Sequence, residues 1–357
     1  MAWHRLMIRR SAEQAGFTLI ELMVGMAVAV VVVAAAFTIL TTTSKSLRAN
    51  EQVVDTQQNL RMAMEMLVKD VKLAGFGSPA VPIGNCTSAI VPADQNVAGV
   101  DTGPDSVQLL VPTIRSSGAN RWTLKLPTTT AGTTVITLQP GAVTDMVNSG
   151  LTANTSYISI GGSATALVTG LNASASTINV AIPPPLWFQV EDRVYLLQCI
   201  RYRVVPAPDP GNLCGGNSPC LTRGVAGVTV GPNAEAPIAD GIEDLQLAYA
   251  CDGCTAFNSG IPDRVVDDQN GSNSFDQADF LSNVPWTAAP LTPDKIQLVQ
   301  VALVARQSKN DQGFGEVNNA KVGSSGMAVT ADHTLAADGT HRRRMLVKTV
   351  ETRNVGM

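Results

Sequence analysis

Apolar residues run almost without a break from position 17 to about 40, interrupted only by Thr18, Glu21, Gly25 and Thr38. At 1.5 Å rise per residue, a helix of about 24 residues spans the roughly 30 Å hydrocarbon core of a bilayer. The pattern then changes without any helix stop. Residues 44–74 contain neither proline nor glycine, and Leu60, Met64, Leu67, Val71 and Ala74 recur at alternating spacings of four and three. That spacing predicts one apolar helical stripe, with Asn50, Glu51, Gln57, Gln58, Arg61, Glu65 and Lys69 on the other faces. Gly75, Gly77 and Pro79 end it. A single helix over 17–74 would be roughly 87 Å long, its first part in apolar surroundings and its second docked on a folded domain.

From residue 78 the period shortens. Runs with β-branched or alternating residues at 106–111, 122–126, 134–138, 177–182, 193–205, 242–250 and 295–304 predict strands, separated by Gly, Pro, Asn and Asp clusters. No second strong helical period is evident, and nothing after 40 is long and apolar enough for another membrane span. The expected fold is α+β: a long N-terminal helix packed on a β-rich head over 78–357. About 280 residues is large for one domain. The segment 127–176, rich in Thr, Ser, Gly and Ala and poor in charge, is the expected inserted lobe.

Charge orients the chain. The first 16 residues carry Arg5, Arg9 and Arg10 against Glu13, which by the positive-inside rule keeps this leader cytoplasmic and exports everything after about 40. Glu21 stands out, because an ionised side chain at membrane depth is costly and usually functional. Two plain readings are a signal anchor and an ordinary secretory signal cut after Ala36, and the apolar run is well beyond the usual 7 to 15 residues of the second. Gly16, at the end of the leader, is a small residue suited to a cleavage site.

The stretch Gly16-Phe17-Thr18-Leu19-Ile20-Glu21-Leu22, behind its cationic leader, resembles the N-terminus of a type IV prepilin. The resemblance implies that a membrane peptidase cuts after Gly16 and methylates Phe17, and that Glu21 pairs with the N-terminal amine of a neighbouring subunit during assembly. Two positions depart from the common pattern: Ala15 where a basic residue is usual before the cleavage glycine, and Thr38 where many major pilins have proline. Further along, the segments 60–76 and 242–249, the strand 299–306 and the ending from Arg342 to Asn354 resemble minor pilins of the PilW type. That implies a non-catalytic subunit at the inner membrane with a periplasmic head, later at the cell surface. Its partners would be the prepilin peptidase, the major pilin and other minor pilins, with which it would initiate or cap a filament. A minor pseudopilin of a type II secretion system shares the same plan, and a pilin-anchored adhesin or ligand-binding head is the reading of a different class.

All six cysteines, Cys86, Cys199, Cys214, Cys220, Cys251 and Cys254, lie beyond the apolar segment, an even count suited to an oxidising compartment. Six cysteines allow 15 pairings. The expectation is two local loops, Cys214 with Cys220 and Cys251 with Cys254, leaving Cys86 with Cys199. A zinc site from the last four fits poorly, because one pair has five intervening residues and no histidine lies near. A redox role for Cys251-Asp252-Gly253-Cys254 would need a thioredoxin-like context. The acidic loop over 263–279 invites calcium, but aligning Gly271 with the glycine of an EF-hand puts Val266 first and Gln277 twelfth, so that register fails. A solvated loop is the simpler expectation, with no metal or cofactor assigned. Arg342, Arg343 and Arg344 form the one dense basic run, expected at an exposed strand end. Losing the leader takes the net charge from −4 to about −6, which argues against general nucleic-acid binding. His4, His333 and His341 accompany no nucleophile elbow or phosphate-binding loop, so catalysis is not expected.

Overall fold

The computed structural model describes residues 17–77, 82–93, 103–115, 118, 121–128, 133–181, 187–216, 218–228, 234–254, 261–282, 284–308, 327–328, 333–335 and 341–355. The leader, including Gly16, lies outside them. Helix α1 (Leu19–Leu73) contains both predicted helical stretches. The chain divides into two compact units, residues 1–52 and 53–357. In the first, every large apolar side chain from Phe17 to Leu47 is exposed, and α1 is long and apolar enough to cross a membrane. Such a surface is stable only against lipid or other apolar helices.

In the second unit the rest of α1 has one buried face. Leu60, Ala63, Met64, Leu67, Val68 and Val71 pack into the main hydrophobic core, so the predicted stripe is buried as its spacing requires. The helix ends in turns, with Gly75 at φ 80° and Gly77 at φ 64°. A Cβ on Gly75 would stand 2.6 Å from the Asn354 carbonyl oxygen, so only glycine fits this turn.

The head is built from antiparallel sheets. In the larger, β1 (Ile90–Ala93), β2 (Ser106–Thr113), β7 (Val194–Val205), β4 (Tyr157–Ile160), β5 (Ala164–Asn172), β6 (Thr177–Val180) and β3 (Val135–Thr137) follow in spatial order. The strand β8 (Cys220–Val225) also pairs with β7, and β9 (Ala236–Asp240) with β8. A three-stranded sheet has the order β10 (Ile242–Cys251), β11 (Ile296–Arg306), β14 (Arg343–Glu351). Between the last two comes a short hairpin, β12 (Met327–Ala328) with β13 (Thr334–Leu335). Strand β10 is buried along nearly its whole length and β11 over most of it, so Glu243, Asp244 and Gln246 sit within a strand that the alternating pattern over 242–250 predicts.

Strand β7 joins two cores. Along one edge it pairs with β2 through Leu196–Arg203; along the other with β4 through Val194–Leu197 and with β8 from Ile200 onward. Its Ile200, Tyr202 and Val204 face the main core under α1. Its Val194 and Leu196 face a second core with Trp122, Leu124, Ile136, Leu138, Met146 and Ile178. The Thr/Ser/Gly/Ala-rich stretch 127–176 falls within the span of this second core.

Some expectations differ. Residues 122–126 join neighbours only through the isolated bridges Thr123 to Arg193 and Leu124 to Leu138. The short helix α2 (Ala142–Asn148) was not foreseen, because seven residues give barely two turns of period and its start, Gly141 at φ 78°, has no side-chain cap. Strands β4 and β5 were also missed: Ala164, Ala166 and Val168 alternate inward, but small residues carry too weak a contrast for period two to show.

Candidate functional site

At the start of α1, Thr18 and Glu21 form a reciprocal capping box. The Glu21 backbone N–H donates to Thr18 Oγ1, and the Thr18 N–H and hydroxyl both donate to Glu21 Oε2, all at 3.3 Å. This satisfies helix-start donors that have no intrahelical partner and sets the carboxylate at the positive end of the helix dipole. The Thr-x-x-Glu spacing is legible in the sequence, but was read only for the charge of Glu21. Phe17 precedes the box and is exposed; the cleavage glycine, Gly16, lies outside the described residues.

Within the head, the docked part of α1 is pinned by a buried carboxylate. Asp70 Oδ2 accepts from the Tyr202 hydroxyl at 2.7 Å and from Arg223 Nε at 2.9 Å and Nη2 at 2.8 Å. One residue of the helix thereby holds β7 and β8 together. Burial pushes the Tyr202 phenol well above its ordinary value, and the Asp70 charge adds to this. Beside it, Glu235 accepts from Arg203 Nε at 2.6 Å, Arg203 Nη2 at 2.9 Å and Arg201 Nη2 at 2.9 Å, and from Thr222. Burial raises the Glu235 pKa, but the Arg203, Thr222 and Arg201 contacts outweigh it and leave the pKa below the ordinary value.

The basic run departs from expectation. Arg343 is buried and makes a bidentate pair with Glu243, Nε to Oε2 and Nη2 to Oε1 at 2.8 Å each. With β14 paired antiparallel beside β11, the Arg343 side chain reaches Glu243 on β10, leaving Arg344 as the exposed arginine of the strand.

The cysteines are joined as Cys86–Cys199, Cys214–Cys220 and Cys251–Cys254, with Cα separations of 5.5, 5.7 and 6.0 Å. Their physical weights differ. In the chain-entropy account a bridge over 113 positions stabilises by about 5 kcal/mol and one over 3 positions by about 2 kcal/mol. Cys86–Cys199 fastens the segment after α1 to the strand shared by both cores. Around Cys251–Cys254 the chain is already held by other bonds: the Asp267 N–H to the Cys251 carbonyl, the Cys254 N–H to Asp267 Oδ2, and the Asp252 carboxylate accepting from the N–H groups of Asp263 and Arg264.

The acidic loop uses its carboxylates in the same way. Asp268 accepts from the backbone N–H groups of Asn270, Gly271, Ser272 and Asn273. Desolvation raises the Asp268 pKa, but the four backbone bonds together outweigh it and hold the exposed carboxyl below its ordinary value. Counting from Asp268 instead of Val266 puts Asn270, Ser272, Asp276 and Asp279 at positions three, five, nine and twelve, with Asn273 at φ 62° sixth; the glycine alignment missed this register. The loop nevertheless does not gather three carboxylates at one point. Among the described residues, the group of acidic, cysteine or histidine side chains that does converge is Cys251, Cys254 and Asp267, each offering an atom within 4.8 Å of the others.

Comparison with known proteins adds two matches at opposite ends of the chain. Residues 12–37 match a family model described as a prokaryotic N-terminal methylation motif, and residues 212–354 match one described as type IV pilus-assembly protein W. No curated protein matches. A solved type IV-like pilin from Thermus thermophilus is similar at 12% identity, over 84% of this chain and 98% of that one, with a TM-score of 0.32; at that score it carries no argument. The apolar helix with its capped glutamate and the β-rich head define a prepilin-like protein. The match over residues 212–354, about 40% of the chain, together with the N-terminal methylation motif, supports a prepilin-like minor pilin of the PilW type.

Proposed function

We propose that the chain is cut between Gly16 and Phe17, methylated at Phe17, and assembled as a minor pilin that initiates or caps a type IV pilus together with other minor pilins. Segments 17–40 and 41–75 act as membrane and assembly helix and as its docked continuation, and the head stands outside the inner membrane. The observation that carries this reading is Glu21, an acid in the first turn of a helix whose following residues are apolar on every side and exposed. Both bonds from Thr18 fall on Oε2. Oε1 is then the oxygen that the amine of a neighbouring subunit would meet. The role is structural: Asp70 with Arg223, Glu235 with Arg201 and Arg203, and Glu243 with Arg343 tie elements of the head together, while Asp252, Asp267 and Asp268 cap loop backbone.

Mass spectrometry of the mature N-terminus tests the first step. A methylated Phe17 is expected, and an unmodified Phe37 would end the proposal. Deleting the head beyond Gly75 while keeping the anchor tests the second. Loss of filaments supports an assembly role, whereas normal filaments that no longer adhere would make the head an adhesin.

A further inference from the structure

We propose that Cys251, Cys254, Asp267 and Gln269 form a zinc site when the two cysteines are thiols, so that the disulfide and the metal are alternative occupants of one buried place. The two sulfurs are the bonded pair of the disulfide, an Asp267 carboxylate oxygen lies within 4.8 Å of both, and all three residues are buried. The Gln269 side-chain amide completes the set, its nitrogen 3.6 Å from Cys251 Sγ and 3.4 Å from Cys254 Sγ. Two sulfurs and a carboxylate oxygen are donors that zinc accepts; turning the amide by half a rotation presents its oxygen toward the fourth position, as a weak neutral donor or as the hydrogen-bond acceptor of a water there. Asp267 accepts the Cys254 N–H through Oδ2, a bond that orients the carboxylate toward the sulfurs.

Two features separate this place from a plain staple. Asp267, Asp252 and the backbone hold the loop together through bonds that do not involve sulfur, so opening the bridge need not unfold it. The loop also carries its own counter-charge. Two thiolates and one carboxylate around a divalent ion leave a net charge of −1, and Lys295 Nζ donates to the Gly253 carbonyl between the cysteines, at 2.5 Å. A nearby ammonium favours thiolates. With both cysteines nearly closed to solvent, exchange with a partner protein is the weaker reading of the Cys-x-x-Cys spacing.

The chemistry balances without a special reductant. The chain is made in a reducing cytoplasm and reaches the outside as a dithiol. Binding then displaces two protons, one from each thiol, as two zinc–sulfur bonds form. The competing route removes two electrons and two protons to a thiol oxidant of the disulfide class, which becomes a dithiol as the Cys251–Cys254 bond forms.

The test uses the full chain in detergent, reduced and kept anaerobic, titrated with Co²⁺ and then Zn²⁺. Thiolate-to-cobalt charge transfer with tetrahedral d–d bands, lost on adding Zn²⁺, is the expected result. It should persist in C214S/C220S, disappear in C251S/C254S, and need at least tenfold more metal in D267N. Because a variant could fail to fold, the reduced wild-type chain is also pulse-labelled with iodoacetamide, with and without Zn²⁺, at a urea concentration where the zinc-free Cys251 and Cys254 react, and the labelled cysteines are mapped. Protection confined to Cys251 and Cys254 supports the site. Equal labelling with and without zinc, or a cobalt spectrum that survives in C251S/C254S, overturns it.

Discussion

Removing the Asp70 carboxylate should loosen the head more than any single apolar truncation on the exposed helix. Asp70→Ala leaves the Arg223 guanidinium and the Tyr202 hydroxyl facing a gap once filled by an acceptor at 2.7 to 2.9 Å. Removing one member of a buried pair costs about 3 to 5 kcal/mol. The side chain of Arg223 is 30% exposed against 8% for Asp70, so the stranded cation can turn partly to water, and the loss is better placed at about 2 to 3 kcal/mol. Tyr202→Phe keeps the ion pair and deletes two hydrogen bonds, the one the hydroxyl donates to Asp70 and the one it accepts from Arg223 Nε, for about 1 to 2 kcal/mol. Urea titration of the full chain in detergent, with disulfides intact and followed by tryptophan fluorescence, reads these differences as midpoint shifts at constant slope. A double-mutant cycle between Asp70→Ala and Arg223→Ala should return a coupling of at least about 1 kcal/mol. Stability of Asp70→Ala within about 0.5 kcal/mol of wild type, or zero coupling in the cycle, would refute the idea that this carboxylate pins helix to sheet.

Other outcomes follow from the same geometry. Glu235 has a depressed folded pKa, so its contribution is present above the unfolded glutamate value and fades as pH falls through the folded one. Glu235→Gln should therefore cost about 1 kcal/mol near neutrality and nothing measurable at the acid end of a pH-resolved urea series. Tyr202 has a raised pKa, so its stabilising effect holds below the unfolded tyrosine value, and above roughly pH 10 wild type should lose ground to Tyr202→Phe in the same assay. Replacing Cys86 and Cys199 by serine should destabilise by more than twice as much as replacing Cys214 and Cys220, since the latter bridge only 6 positions. Glu21→Val should leave the mature N-terminus unchanged by mass spectrometry while the subunit disappears from purified filaments. Normal incorporation would remove the role given to that carboxylate.

Much of this protein was written in one dimension. The apolar run after Phe17, the stripe from Leu60 to Ala74 and the strands β2, β7, β10 and β11 show themselves because each is long and its period is set by local geometry, 3.6 for a helix and two for a strand. The N-terminal motif shows itself for a different reason, since Gly16, Phe17 and Glu21 lie within six residues of one another and no tertiary contact is needed to bring them together. Thr18 was equally visible and went unread.

What needed three dimensions is whatever joins distant residues. Asp70, Tyr202 and Arg223 are unremarkable polar positions along the chain, and they become one tie only because β7 and β8 cross under the last turns of α1. Arg343 looks like part of an exposed basic run until β14 lies beside β11 and turns it onto Glu243. The split of the head into two cores depends on β7 changing partners along its length, and Asp267 and Gln269 reach the Cys251–Cys254 loop only through a fold-back of the chain. Periodicity records which face of an element is apolar; which element meets that face is decided by packing, and packing is not local.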